Sequence, residues 1–138
     1  MASADADNKK GSHQGPLVLM VDDDPINLRI VGNLLERHGY TIRTASTAEE
    51  ALQILGEIVP RVLILDVMLP SMSGYELCTV VKKNEELQGI PVIFLTGQDS
   101  PKDFKTGHDA GGILYLAKPI NPSRLLNAVR MLCPPPKR

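Results

Sequence analysis

Long apolar runs are absent from this sequence of 138 residues. A membrane-spanning helix needs about 20 consecutive, mostly apolar residues. The opening segment MASADADNKK also lacks the apolar stretch of a secretory signal. The formal net charge is only −1, so the overall charge does not favour nucleic acid or an anionic membrane as a partner. These features predict a cytoplasmic protein that contacts neither nucleic acid nor membranes directly.

Cysteine, histidine and nucleotide-binding glycine motifs are scarce or missing. Cys78 and Cys133 have no metal-ligand spacing, and the three histidines are scattered along the chain. Two reduced thiols are therefore expected rather than a disulfide or a cysteine–histidine metal site. Neither G-x-G-x-x-G nor G-x-x-x-x-G-K-[ST] occurs, which disfavours a nucleotide-binding module.

Five short segments predict the strands of a sheet. Four are continuous apolar runs, which are typical of strands covered on both faces. They occupy residues 17–21, 62–65, 92–95 and 113–117. The remaining segment, YTIRTA at 40–45, alternates between apolar and polar residues, which favours a strand at the edge of the sheet.

Helix-start signals separate the predicted strands. A capping residue stands before proline three times, and the capping-box spacing of Ser or Thr to Glu occurs twice. The pairs are Asp24 with Pro25, Ser100 with Pro101, Asn121 with Pro122, Thr47 with Glu50, and Ser73 with Glu76. Alternation of five strands with five helices predicts an α/β fold, in which helices cover both faces of a parallel sheet.

The two ends of the chain differ from this pattern. Residues 1–15 are polar, small and aperiodic, which predicts a flexible leader. Residues 134–138, PPPKR, cannot continue a helix and predict a proline-rich tail. Residues 16–133 are expected to form one domain with a single core region.

Polar residues follow the predicted strands at their carboxyl ends, where a doubly wound sheet binds its ligands. Asp22 and Asp23 follow the first strand and Asp66 the third, while Thr96 and Lys118 follow the fourth and fifth. Each residue alone is explained by turn chemistry or as a surface charge. Three carboxylates at one edge repel one another, however, unless a cation relieves the repulsion. The pattern predicts a site for Mg²⁺, with Mn²⁺ as the alternative ion.

Four motifs together resemble the receiver domain of two-component response regulators, the CheY-like group. They are VDDDP, LDVMLPSMSG, FLTG and YLAKP, and the resemblance covers residues 16–132. It implies a flavodoxin-like, doubly wound sheet of five parallel strands in the order 2-1-3-4-5, with five helices. It also implies a phosphorylation-dependent signalling switch that uses Mg²⁺.

The implied partners are a sensor histidine kinase or a histidine phosphotransfer protein, which supplies the phosphoryl group, and a downstream effector protein or domain. A receiver of this kind is not an enzyme with a separate substrate, since it catalyses only its own phosphorylation and dephosphorylation.

The resemblance assigns the acidic residues to phosphate and metal chemistry. Asp66 would accept the phosphoryl group. The cation would be held by Asp66, by Asp23 directly, by Asp22 mainly through water, and by the backbone carbonyl of Met68.

The other implied roles concern the response to phosphate. Thr96 would hydrogen-bond to the phosphoryl group, Lys118 would pair with it, and Tyr115 would move with the switch. The side chains of Met68 and Gln98 would flank the path of the hydrolytic water, and Pro119 would follow a cis peptide bond.

Three alternatives share parts of this pattern. An aspartyl-phosphate hydrolase of the haloacid dehalogenase type also has a nucleophilic Asp at a strand end, but it needs a second acid where this chain has Met68. A degenerate receiver would serve only as a binding module, which the presence of Thr96, Lys118 and all three acids disfavours. The third alternative, a receiver module within a hybrid kinase or a longer regulator, stays open.

Overall fold

The computed structural model describes residues 15–97 and 111–135. Strands and helices alternate along these residues. They are β1 (Leu17–Val21), α1 (Pro25–Arg37), β2 (Thr41–Ala45), α2 (Ala48–Leu55), β3 (Val62–Asp66), α3 (Gly74–Lys82), β4 (Val92–Thr96), β5 (Leu114–Ala117) and α4 (Pro122–Leu132). The strands pair in parallel in the order β2-β1-β3-β4-β5, which confirms the predicted doubly wound sheet.

The helix count differs from the prediction of five, because residues 15–97 and 111–135 contain four helices. All four begin at predicted caps, whose side chains accept a backbone N–H of the first turn. The caps are Asp24, Thr47, Ser73 and Asn121. The fifth helix was predicted after Ser100 and lies outside the described residues, as do residues 1–14 of the leader and 136–138 of the tail.

The two predicted capping boxes differ in their second hydrogen bond. Ser73 and Glu76 form the complete reciprocal pair at the start of α3. Thr47 accepts the N–H of Glu50, but the Glu50 carboxylate accepts the N–H of Ser46, one residue before the cap. The prediction of the helix start was right, while the second bond of this box is displaced by one residue.

Apolar clusters cover both faces of the sheet. One cluster contains residues of α2 and α3, and the other contains residues of α1 and α4. Leu63 and Leu65 of β3 belong to the first cluster and Val62 and Ile64 to the second, so successive side chains enter opposite cores. This arrangement explains why the strand has a continuous apolar run.

The two outer strands are less covered than the central ones. β2 lies at one edge, as its alternating pattern predicts. For β5 the prediction of full burial was wrong, because it forms the opposite edge and its residues are half-buried or exposed. A strand that has a neighbour on one side only leaves part of its surface open even when its sequence is apolar.

No helix among the described residues is long and apolar enough to cross a membrane. Cys78 and Cys133 are free and buried, as expected for reduced thiols. Burial raises the pKa of the Cys78 thiol to about 11, so this thiol stays protonated at neutral pH.

Candidate functional site

Two buried acids lie side by side at the carboxyl ends of β1 and β3. Val21 pairs with Leu65, so the next residues, Asp22 and Asp66, occupy adjacent positions on neighbouring strands. Asp22 is fully buried and Asp66 is 2% exposed, whereas Asp23 is exposed. Oxygens of the three carboxylates lie within 4.8 Å of one another. The structure therefore brings together the three acids that the sequence placed at this edge.

Lys118 directly follows the outer strand β5, and its side chain extends to the two buried acids at the ends of β1 and β3. Its backbone N–H donates to the carbonyl of Thr96 (2.8 Å), which fixes the start of the Lys118 side chain beside the end of β4. The ammonium Nζ lies 2.9 Å from Asp66 Oδ2 and 3.3 Å from Asp22 Oδ2. One ammonium group thus partly offsets two buried negative charges.

The pKa values of Asp66 and Lys118 each result from opposing effects. Burial raises the pKa of Asp66, and the hydrogen bonds from Lys118 Nζ and the Met68 N–H oppose that rise. Burial alone would lower the pKa of Lys118, but the hydrogen bond and the negative charge of Asp66, together with the charge of Asp22, raise it. The Lys118 ammonium therefore remains charged at neutral pH, next to a carboxylate that is costly to keep ionised.

The Asp22 carboxylate is held by three protein donors. Its Oδ1 accepts the Asp24 N–H at 2.9 Å, and its Oδ2 accepts Asn27 Nδ2 at 3.2 Å as well as Lys118 Nζ. Asp24 itself accepts the N–H of Ile26, so it caps α1 as predicted. Asn27 was missed by the sequence reasoning. The available signal was a polar residue in the first turn of a helix that starts directly after the acidic loop, residues 22–24.

The loop after Asp66 is held by close contacts. Gly74 donates its N–H to the carbonyl of Val67 (2.9 Å), and a Cβ at Gly74 would overlap the Asp66 carbonyl oxygen. Ser71 has a φ of 57° and donates its hydroxyl to Glu49 of α2 at 2.9 Å. Asp66 is therefore positioned both by its strand and by a tightly packed loop.

Thr96 and Tyr115 lie where the sequence placed them, at the end of β4 and within β5. Thr96 is 3% exposed, and Tyr115 is half-buried. The Phe94 ring lies between two tyrosine rings, with centroid distances of 4.8 Å to Tyr75 and 5.5 Å to Tyr115. This three-ring group connects the first turn of α3, close to the Asp66 loop, with the outer strand of the sheet.

The remaining predicted residues are Met68, Pro119 and Gln98. Met68 donates its N–H to Asp66 Oδ1 (3.1 Å), and the residue is 73% exposed. The Lys118–Pro119 peptide bond is cis, as the resemblance implies. Gln98 lies outside the described residues.

The donor set at this edge fits a hard divalent cation. All three acids offer carboxylate oxygens, which Mg²⁺ and Mn²⁺ accept. Two acids are buried and one is exposed, so a cation held here would keep contact with solvent. Within the described residues, Lys118 supplies the one ammonium group paired with these acids, which leaves an excess of negative charge for such an ion to offset.

Comparison with known proteins identifies the family of this chain. The family model of the response regulator receiver domain matches residues 18–130. The chain therefore belongs to the response regulator receiver domain family, whose members act as phosphorylation-dependent switches in two-component signalling. The matched region includes the buried acids Asp22 and Asp66 as well as Lys118.

Relatives at the sequence and structure levels agree with this family. The chain is 38% identical over 104 residues to the "Probable cyclic di-GMP phosphodiesterase" of Vibrio cholerae, covering 75% of this chain and 23% of that protein. It is 31% identical over 120 residues to protein PilG of Pseudomonas aeruginosa, covering 87% of this chain and 89% of PilG. The solved structure of chemotaxis protein CheY4 of Vibrio cholerae has a TM-score of 0.81 and 32% identity, covering 85% and 98% of the two chains.

The first curated relatives are longer than the matched region. The chain spans about half of their length or less. The match to the phosphodiesterase covers under a quarter of that protein, so it supports a shared receiver domain and not a shared enzymatic activity.

Proposed function

We propose that Asp66 is the phosphoryl acceptor of this receiver domain and that a histidine kinase or a histidine phosphotransfer protein is the donor. The supporting observation is the position of Asp66, a buried carboxylate at a strand end with Lys118 Nζ 2.9 Å from one of its oxygens. A carboxylate is a sufficient nucleophile without a general base once it is ionised.

In the proposed step, an Asp66 oxygen attacks the phosphorus of a phosphohistidine and forms a P–O bond as the P–N bond breaks. The electron pair of the P–N bond stays on the imidazole nitrogen of the donor. Lys118 lies next to the attacking group and offsets charge on the phosphoryl oxygens during transfer. The product at Asp66 is an acyl phosphate that carries more negative charge than the free carboxylate.

The proposal includes Mg²⁺, or Mn²⁺ in its place, at the three acids. When bound, the ion supplies positive charge that stabilises the phosphoryl oxygens. Asp23 would bind it directly, together with Asp66 and the carbonyl of Met68. Asp22 would act mainly through water. Three protein donors already occupy most of the acceptor positions of its carboxylate, which favours an indirect contact with the ion over a direct one.

The proposed output begins at Thr96 and Lys118, which would respond to the new phosphoryl group. Thr96 is buried at the end of β4, next to Lys118, and Tyr115 contacts Phe94 two residues before Thr96. A rearrangement at Thr96 can therefore reach the outer strand, where an effector protein or domain would read it.

In this proposal the domain catalyses only its own phosphorylation and dephosphorylation and has no separate substrate. It does so either as a stand-alone regulator or as a module of a hybrid kinase or longer regulator. A cytoplasmic location is proposed, with no direct contact with nucleic acid or membranes, since a net charge of −1 attracts neither.

Intact-mass measurement tests the acceptor. The chain is incubated with acetyl phosphate and MgCl₂, and a mass increase of one phosphoryl group is expected. The increase should disappear with excess chelator and in Asp66→Asn. Asp24→Asn is the matched control, because Asp24 is committed to capping α1. Equal labelling of wild type and Asp66→Asn would rule out Asp66 as the acceptor.

A further inference from the structure

Asn27 makes a side-chain contact with the acidic site that the family assignment does not explain. It lies in the first turn of α1, is half-buried, and places Nδ2 3.2 Å from Asp22 Oδ2. The amide orientation follows from the partner, since an amide oxygen facing a carboxylate would be repelled while the NH₂ group donates to it.

The hydrogen bond from Asn27 helps to fix the orientation of the Asp22 carboxylate. A carboxylate oxygen has two lone-pair positions. Both positions of Asp22 Oδ2 are used, by Asn27 and Lys118, and one position of Oδ1 is used by the Asp24 N–H. The carboxylate is therefore fixed in rotation, and the donors among the described residues leave a single Oδ1 position for a cation or for a water molecule bound to one.

We propose that Asn27 is a positioning residue for the divalent cation, acting by holding Asp22 in this orientation. The inference rests on the proposed function in its assignment of the cation to these acids. Residues that hydrogen-bond to metal ligands orient those ligands, and their loss commonly lowers metal affinity by about 10- to 100-fold.

The contribution of Asn27 becomes larger once Asp66 is phosphorylated. In the proposed function Lys118 pairs with the phosphoryl group, and we expect its ammonium then to move away from Asp22 Oδ2. Among the contacts described above, Asn27 is the side-chain donor that stays on this oxygen. Without it, a fully buried carboxylate oxygen would lose both of its donors, which is costly.

The test is calorimetric titration of the chain with MgCl₂ in the absence of any phosphodonor. Asn27→Leu removes the donor at similar volume, and Asn33→Leu is the matched control, the same exchange at an exposed position of the same helix. We expect the Mg²⁺ dissociation constant to rise about tenfold in Asn27→Leu and to stay unchanged in Asn33→Leu. Asn27→Gln, which keeps an amide donor, should recover most of the affinity.

Three results would overturn the inference. They are an Asn27→Leu dissociation constant within about twofold of wild type, equal losses in Asn27→Leu and Asn33→Leu, and no recovery in Asn27→Gln. Should Asn27→Leu not fold, Asn27→Gln against Asn27→Ala gives the same comparison.

The proposed function is judged separately. A wild type that binds Mg²⁺ but is not phosphorylated contradicts the proposed function and leaves the Asn27 inference standing. A wild type that does not bind Mg²⁺ contradicts both.

Discussion

Lys118 Nζ lies 2.9 Å from Asp66 Oδ2 and 3.3 Å from Asp22 Oδ2, so a single ammonium group connects the ends of β1 and β3. With Asp23 included, the described part of the chain places three carboxylates beside one ammonium group. The Lys118 contact reduces the repulsion between the buried acids but does not cancel it, because an excess of negative charge remains. The same charge imbalance that lowers stability at this edge makes the edge suitable for a divalent ion.

Lys118→Met should destabilise the fold in the absence of Mg²⁺. Breaking a fully buried ion pair costs about 3–5 kcal/mol, and we expect about 2 kcal/mol here since a quarter of the Lys118 side chain is exposed. Added MgCl₂ should stabilise the variant more than it stabilises wild type, because the ion then replaces the missing positive charge. Urea unfolding with and without MgCl₂ measures both effects.

Lys83→Met is the control for this experiment, as Lys83 is exposed at the end of α3. It should leave the free energy of unfolding nearly unchanged. Equal Mg²⁺ stabilisation of Lys118→Met and wild type would contradict the view that the lysine and the ion offset the same carboxylates.

Asp66→Asn should stabilise the fold at neutral pH. Burial raises the pKa of Asp66 above its ordinary value of 3.8, so the folded state favours the protonated form. The stability that this group contributes is present below pH 3.8 and is lost as the pH rises through the raised value. The amide avoids that loss, and we expect a gain of about 1 kcal/mol at pH 7.

The pH dependence distinguishes this cause from a change in packing. The difference in unfolding free energy between Asp66→Asn and wild type should be largest at neutral pH. It should shrink as the pH falls through the raised pKa of Asp66, and it should be smallest below pH 3.8, where Asp66 is protonated in both folded and unfolded wild type. A variant that is less stable than wild type at pH 7 would show that the Lys118 contact outweighs the burial cost.

The parts of this fold that the sequence predicted are those with local causes. Helix starts at Asp24, Thr47, Ser73 and Asn121 were recognisable because a cap and its N–H partner are two or three residues apart. The meeting of the acids with Lys118 was also predictable, since parallel strands end at one edge and each residue directly follows or closes a strand.

The features that the sequence did not reveal depend on the path that the chain takes in space. The contact of Asn27 with Asp22 depends on the direction in which α1 leaves the acidic loop. The positive φ of Ser71 depends on the path of the loop toward Glu49, and the partial exposure of β5 depends on its position at the sheet edge. Periodicity and composition alone therefore did not reveal these three features.

Gly74→Ala should impair both folding and phosphorylation. A Cβ at this position would overlap the carbonyl oxygen of Asp66, so the loop or the strand end has to move. We expect a loss of about 2 kcal/mol in stability, typical of overpacking at a well-packed position. Phosphorylation by acetyl phosphate, followed by intact mass, should slow as well, because the proposed acceptor Asp66 would be displaced.

Gly89→Ala provides the control for this prediction. A Cβ at Gly89 would meet no atom within 4 Å, and the residue lies far from the acidic edge, before β4. Its stability and its rate of phosphorylation should match wild type. Equal effects of the two alanine variants would point to general backbone restriction and away from a specific contact with Asp66.

Met68→Asn should shorten the lifetime of the phosphorylated state. Met68 follows Asp66, the proposed acceptor, by two residues, and its N–H donates to Asp66 Oδ1. Its side chain is free to meet solvent, since the residue is 73% exposed. A thioether is a poor hydrogen-bonding partner for water, whereas an amide can orient a water for attack on the acyl phosphate. One such hydrogen bond in the transition state, of about 1.4 kcal/mol, corresponds to about tenfold faster hydrolysis.

The measurement is loss of the phosphorylated mass over time after removal of acetyl phosphate. Met131→Asn is the control, because Met131 is also 73% exposed but lies at the end of α4. Decay in Met68→Asn that is no faster than in wild type would show that the Met68 side chain does not limit dephosphorylation. Faster decay in both variants would point to a general effect of the exchange.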